Sequence, residues 1–348
     1  MTSVVIALLG GELAARTFGT DPKRWQFHNF VSDPLLMEGR WRTMQPDELL
    51  GYVPRPSYSG TDHGGRALLT FDKNGLRVHR RKYPPPSQET PPVLVVGNSY
   101  AMGEQVADDE TLPAHLQAIL DRRVLNGGVL GYGIDQIVLR SEILVPAFRP
   151  DLLLVSFIAD DVRRAQMRIL WGIDKPYFDI IEGALRLRGV PIKPPVASTS
   201  LPLDPVRRVL GYSFLIDVVM RRLGMSFYWL RGQPRHAEAA HDQGARVACL
   251  LMDRLRQLGK THGAGVLVVA QYTPTAWLRD STLRFETQIT AQLLACARKS
   301  GLDTLDTAAA TEATVRTDGL ERYYFDRHMN DAGNRLTADL IARRVAVR

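Results

Sequence analysis

The chain has 348 residues, 45% apolar and 23% charged, an ordinary globular composition with material for one large domain with additions or for two domains. Net charge is +7, but the basic residues are spread out, and the densest cluster, His79-Arg80-Arg81-Lys82, has no nucleic-acid recognition motif beside it. Nucleic acid is therefore not an expected partner, whereas a positive surface suits acidic glycans or lipid headgroups.

The N-terminal run Val4-Val5-Ile6-Ala7-Leu8-Leu9 meets Glu12 and Arg16 soon after. It falls well short of the ~20 apolar residues that span a bilayer, and it lacks the basic start of a signal peptide. It reads as a core helix or as the remnant of a membrane anchor. Residues 1–90 otherwise carry turn chemistry, such as Gly51-Tyr52-Val53-Pro54-Arg55-Pro56 and Asp72-Lys73-Asn74-Gly75, around a strand at Ala67–Phe71. This predicts a small β-rich region closed by the prolines of 84–92.

From residue 93 strands and helices alternate. Val93–Val96 is a strand, Thr111–Arg122 a helix, Arg123–Asn126 a strand, Ile134–Val145 a helix stopped by Pro146, and Leu152–Ile158 an apolar run of the kind that fills a parallel sheet. This rhythm implies βαβ units with helices on both faces of a parallel sheet. It breaks over 162–240, which reads as an inserted cap: a hairpin of Tyr177–Ile181 and Ala184–Arg188 about Glu182-Gly183, a proline-rich loop from Pro191 to Pro205, and an apolar, arginine-studded stretch Val206–Leu230. That stretch suits a cap helix packed on the core, with a membrane-surface helix as the alternative. The rhythm resumes with helix 241–258, strand Val266–Tyr272, helix 281–299, strand Leu302–Asp306 and a last helix from Asp331 to about 345. Cys249 and Cys296 both fall in helical patterns and read as small core residues, not a disulfide framework.

Four places carry chemistry. Gly97-Asn98-Ser99 puts a serine just past the first strand of the sheet, where ligands of such folds collect. The run Asn126-Gly127-Gly128-Val129-Leu130-Gly131-Tyr132-Gly133 ends the next strand, with glycines that let backbone N–H groups approach a ligand. Asp160-Asp161 follows the third strand; no His-x-x-x-His or similar spacing supports a metal there. Asp326-Arg327-His328 lies near the C-terminus, the one histidine beside a carboxylate at the end of the α/β pattern. A serine, a histidine and an acid so placed suit acyl transfer.

Together these pieces resemble the SGNH (GDSL-like) hydrolase superfamily, over roughly residues 91–161 and 241–348. The most specific parts are Gly97-Asn98-Ser99, the Asn126–Gly133 run with Asp135-Gln136, and Asp326-x-His328-x-Asn330-x-x-Gly333. The resemblance implies a three-layer α/β/α, flavodoxin-like fold spanning 91–348, with the 1–90 region and the 162–240 cap added. It implies Ser99 as nucleophile, His328 as base, Asp326 as the acid orienting His328, and an oxyanion hole from the N–H groups of Ser99 and Gly128. The family's asparagine donor falls at Asp160. No cofactor and no metal are implied. The early Gly51–Pro56 and Asn74-Gly75-Leu76-Arg77 stretches look like those of bacterial envelope members, so envelope placement is favoured over cytoplasm, with membrane association through the apolar N-terminal segment.

Two departures stand out: the family's Gly-Asp-Ser and Asn-Asp blocks read Gly-Asn-Ser and Asp160-Asp161 here. An ionised Asp160 has no proton for an oxyanion. Either Asp160 is held protonated by burial, or the site is weakened and kept for binding, or Asn98 supplies the amide donor while Asp160 accepts its second N–H; the last is the favoured expectation. The expected activity is a serine esterase acting on an acylated carbohydrate, lipid or metabolite. The alternatives are an O-acyltransferase using the same triad, or a non-catalytic carbohydrate or envelope binding protein. The cap aromatics Trp171, Tyr177, Phe178, Phe227, Tyr228 and Trp229 are expected to pack the cap, with sugar stacking as the alternative.

Overall fold

The structure is a computed structural model and describes residues 2–19, 41–62, 65–79, 90–193, 210–225, 229 and 237–346. Most of the basic cluster after His79, the prolines of 84–89, much of the Pro191–Pro205 loop, and Phe227 and Tyr228 lie outside the described residues.

Helix α1 spans Thr2–Phe18. Two hairpins follow, β1 (Met44–Asp47) with β2 (Gly51–Pro54) and β3 (Ser59–Thr61) with β4 (Leu68–Thr70). Then come β5 (Val93–Gly97), α2 (Ser99–Met102), α3 (Leu112–Leu120), β6 (Val124–Asn126), α4 (Ile134–Phe148), β7 (Leu152–Phe157) and α5 (Ala159–Arg164). The intervening segment forms β8 (Met167–Leu170), β9 (Ile173–Asp174), β10 (Tyr177–Ile181), β11 (Ala184–Arg188), α6 (Phe214–Arg222) and β12 (Ala237–Ala239). The chain closes with α7 (Gly244–His262), β13 (Gly265–Ala270), α8 (Pro274–Leu278), α9 (Asp280–Lys299), β14 (Asp303–Asp306), α10 (Ala308–Asp318), β15 (Tyr324–Phe325), β16 (His328–Met329) and α11 (Asp331–Ala346).

The central sheet runs β14-β13-β7-β5-β6, parallel throughout. Its central strands β5, β7 and β13 are buried and largely apolar on both faces because helices cover both. Val93, Val95, Leu152, Leu154, Leu267 and Val269 meet Leu112 and Leu116 of α3 and Ala338 and Ile341 of α11. The alternate residues Leu94, Val96, Leu153, Val155 and Val268 meet Ile137 of α4, Leu251 and Leu255 of α7, and Leu293 of α9. The architecture is thus three-layer α/β/α, as the strand–helix rhythm predicts.

The N-terminal hairpins share this core through Tyr52, Leu69, Phe71 and Leu76. They also hold the glycine-rich loop: Tyr52 Oη donates to the Leu130 carbonyl at 2.8 Å, and Gln136 Nε2 to that of Leu50 at 2.8 Å. At the start of α4, buried Asp135 pairs with buried Lys175 from the segment after β9. Phe178 and Trp229 are buried, so they pack rather than present a sugar-stacking face, while Trp171 lies half-buried against the core. The β10–β11 hairpin turns at Glu182-Gly183 as expected.

Three expectations change. Helix α4 runs past Pro146 to Phe148, because a proline in the last turns forfeits only the hydrogen bond to the Glu142 carbonyl. Cys249 on α7 and Cys296 on α9 form a disulfide, since the two helices are neighbours and bring their Cα atoms to 5.2 Å. Helix α1 is no core helix: Ile6, Leu8, Leu9, Leu13 and Phe18 are exposed. It docks on α6, where the Glu12 carboxylate accepts from Ser213 Oγ at 2.8 Å and from the Phe214 and Leu215 N–H groups at 2.9 Å each. That places an anion on the positive end of a helix. Among the described residues no helix is long and apolar enough to cross a membrane.

Candidate active site

Strand β5 delivers Ser99 through a tight turn at the carboxyl edge of the sheet. A Cβ at Gly97 would lie 2.5 Å from the Ser156 carbonyl, so only glycine fits where β5 ends beside β7. Asn98 then caps α2, its Oδ1 accepting from Tyr100 N–H at 2.8 Å. Helix α2 lasts four residues before Gly103 (φ 84°) closes it by donating to the Ser99 carbonyl at 2.8 Å. Ser99 ends up 8% exposed, at the first helical position.

The histidine arrives on the β15–β16 hairpin, with Phe325 opposite His328 and Asp326-Arg327 as the turn. Tyr100, next to the serine, supports that turn: its hydroxyl donates to the Arg327 carbonyl at 2.8 Å and its ring lies 5.4 Å from the imidazole. His328 Nε2 is 2.9 Å from Ser99 Oγ. The two residues, 229 apart in sequence, are thus within the hydrogen-bond reach that a nucleophile and its base require in acyl-transfer sites.

Asp326 does not touch the imidazole. A two-residue turn puts it at the exposed tip, at φ 55°, and its Oδ2 is 3.5 Å from Gln105 Nε2. Gln105 takes the place expected of the acid, its Oε1 2.9 Å from His328 Nδ1. With the Gln105 amide nitrogen turned to Asp326, its oxygen faces Nδ1, so Nδ1 carries the proton. Nε2 is then free to accept from the serine hydroxyl.

Sequence reasoning missed Gln105 and its neighbour Glu104, whose Oε2 is 3.4 Å from His328 Nε2. The available signal was their position in the loop that follows α2. Its shape depends on Arg77, 3% exposed, whose guanidinium donates to the carbonyls of Met102 (3.0 Å), Gly103 and Val106 (2.6 Å) and pairs with Asp108 at 3.0 Å. The Asn74–Arg77 stretch of the N-terminal region thus fixes the loop beside the histidine.

The Asn98–Asp160 pairing expected from sequence does not form. Asn98 is fully buried and its Nδ2 donates to Asp161. The reason lies in α5: Asp161, third in that helix, folds back so that Oδ2 accepts from Ile158 N–H at 2.9 Å, which aims it at Asn98. Arg164 donates to its other oxygen at 3.1 Å. Burial nonetheless pushes the Asp161 carboxyl up to about 7, against the pull of Arg164 and those hydrogen bonds. Asp160, one residue earlier, turns outward to Arg163 (2.6 Å) and Arg164 (2.7 Å). Burial works to raise its pKa, but the two guanidiniums outweigh it and hold Asp160 below the usual carboxylate range. Asp160 is therefore not held protonated.

The two backbone donors differ in what they already hold. The Ser99 N–H belongs to the first turn of α2, where donors have no intrahelical partner. Gly128 lies directly against that helix, since a Cβ there would sit 2.3 Å from Met102 N. Its N–H donates to Asn126 Oδ1 at 3.1 Å, while Asn126 Nδ2 donates to the Met102 carbonyl at 3.2 Å.

Fold and site together define an α/β protein with a parallel five-stranded sheet and a serine–histidine pair at its carboxyl edge. No protein-family profile matches the chain, and no curated protein matches it in sequence. Among solved structures it is similar to LAE5, an alpha/beta hydrolase enzyme from the metagenome of Lake Arreo, Spain, at 14% identity over 72% of this chain and 93% of that one, with a TM-score of 0.44. It is also similar to Axe2, an acetylxylan esterase from Geobacillus stearothermophilus, at 14% identity over 75% and 95% of the two chains, with a TM-score of 0.43. Likenesses this distant assign no activity, and the functional reading rests on the side-chain geometry.

Proposed function

We propose that the chain is a serine esterase, and the observation that carries the reading is the 2.9 Å contact of Ser99 Oγ with His328 Nε2, with Nδ1 held at 2.9 Å by Gln105. Ser99 Oγ attacks the ester carbonyl as its proton passes to Nε2. The carbonyl oxygen gathers negative charge near the Ser99 N–H and, once it lets go of Asn126, the Gly128 N–H. Collapse breaks the ester C–O bond, the proton on Nε2 goes to the departing alkoxide, and an acyl-enzyme remains. Water then repeats the sequence and frees the acid. Asp160, ionised and turned to its arginines, is not a donor to the oxyanion.

The substrate class is an ester of a carbohydrate, lipid or metabolite. The Cys249–Cys296 bridge supports an oxidising compartment, such as the bacterial envelope. The test is hydrolysis of p-nitrophenyl esters from acetate to palmitate and of an acetylated oligosaccharide. Ser99→Ala and His328→Ala should each lose about 1,000-fold or more of the wild-type rate. Equal rates for wild type and both variants on every ester would remove the esterase reading.

A further inference from the structure

Glu104 is a buried carboxylate beside the imidazole, and the acyl-transfer chemistry above makes no use of it. Consecutive residues grip the two ring nitrogens: Gln105 Oε1 lies 2.9 Å from Nδ1, and Glu104 Oε2 lies 3.4 Å from Nε2. The Glu104 side chain is 9% exposed, and its backbone N–H donates to the Ser99 carbonyl at 3.0 Å, which ties it to the nucleophile. Arg77 holds the carbonyls of Gly103 and Val106 on either side of the pair. Gln105 itself takes a left-handed backbone, φ 71°, and so turns the two side chains to opposite edges of the ring.

The charge is therefore on the unexpected side. In the usual arrangement a carboxylate on Nδ1 steadies the imidazolium that forms when the base takes the serine proton. Here Nδ1 meets a neutral amide, and Asp326 stands one residue further out at 3.5 Å from that amide. The geometry points to Glu104 as the counter-ion of the His328 imidazolium, acting from the Nε2 side; this rests on the acyl-transfer reading for its purpose but not for its test. Before proton transfer Nε2 presents a lone pair, and Glu104 gains nothing from it. After transfer Nε2–H faces a carboxylate, so the attraction is switched on by the step it assists. The proton stays on Nε2, its N–H attracted by the Glu104 carboxylate, until the departing alkoxide takes it.

Other charged groups face the ring less directly. Asp326 acts through Gln105, Arg327 and Asp326 are exposed in the turn, and Tyr100 presents its ring while its hydroxyl is spent on the Arg327 carbonyl. Arg66 lies over Phe325, 4.7 Å from the ring centre, on the strand beside His328.

The experiment is an NMR titration of the His328 imidazole in the full chain, for wild type, Glu104→Gln, Glu104→Asp and Asp326→Asn. The apparent acid limb of kcat/KM is measured on any ester that is turned over. Glu104→Gln should lower the His328 midpoint by about one unit or more, the effect of an opposite charge at this range. Glu104→Asp keeps the charge and should stay within about half a unit of wild type, and Asp326→Asn should move it less than Glu104→Gln does. The acid limb should follow the titration. A purely structural role for Glu104 would lower the rate at every pH and leave the midpoint in place, and that result overturns the proposal, as does a larger shift in Asp326→Asn. Because the titration needs no turnover, a protein that shows the shift yet hydrolyses no ester refutes the esterase reading and leaves the ion pair standing.

Discussion

Gln105 and Asp326 separate two accounts of the histidine. If Asp326 were the orienting acid, its removal would cost on the order of 10,000-fold, as losing the acid of a serine triad does. The structure gives Asp326 one contact toward the site, an exposed 3.5 Å approach to Gln105 Nε2. A contact of that length is at the limit of a hydrogen bond, worth about 0.5 kcal/mol or less in solvent. Asp326→Asn should therefore slow kcat/KM by no more than about threefold. Gln105→Ala removes the 2.9 Å acceptor of Nδ1–H, the contact that sets the tautomer. A neutral hydrogen bond contributes about 1 kcal/mol net, and a partly buried donor left unpaired adds about 1–2 more, so a loss of roughly 30- to 150-fold follows. The assay is initial-rate kinetics with a p-nitrophenyl ester on both variants, with thermal melts to confirm folding. A loss above 100-fold in Asp326→Asn together with less than threefold in Gln105→Ala would refute the geometry of the site.

Three further outcomes follow from the packing. Reduction of Cys249–Cys296, or its replacement by two serines, should lower the unfolding free energy by about 2–4 kcal/mol in urea, because the bridge closes a loop between residues 47 apart; an unchanged midpoint argues against the bridge. Asp161 has a native pKa raised by burial from 3.8 to about 7, so between those values the native state holds a proton that the unfolded chain releases. Its contribution is complete below about pH 4 and lost as pH rises to 7, so wild type should lose stability relative to Asp161→Asn over that interval, by about 4 kcal/mol at most; a flat difference curve contradicts this. Arg77→Met should cost about 3–5 kcal/mol in stability, since it strips buried carbonyls and Asp108 of their partner; a loss below 1 kcal/mol would show that the loop holds itself.

The sheet and the place of Ser99 were legible from the chain because both follow from local grammar, whereas His328 was singled out by the Asp326-x-His328 pattern and reaches the serine on the β15–β16 hairpin. Apolar runs of strand length, separated by helical periods, specify a parallel sheet, and the residues just past those runs must gather at one edge. What the sequence concealed depends on single-residue geometry. A spacing of two between Asp326 and His328 looks favourable for contact, yet a two-residue hairpin turn sends the aspartate to the tip. Asp160 and Asp161 are indistinguishable as letters, and only the start of α5 decides which of them folds back onto Asn98. Glu104 and Gln105 reach the imidazole because the loop after α2 takes left-handed turns at Gly103 and Gln105, and the clamp that imposes them is an arginine 22 residues before Ser99. The cysteines read as core residues because their pairing requires knowing that α7 and α9 are neighbours.

The central claim is that Ser99 is an activated nucleophile, and intact-mass analysis after reaction with a fluorophosphonate tests it most directly. The account predicts a single adduct on Ser99, absent from Ser99→Ala and formed much more slowly in His328→Ala. No adduct on the folded wild-type chain, or one that persists at the same rate in Ser99→Ala, would contradict it.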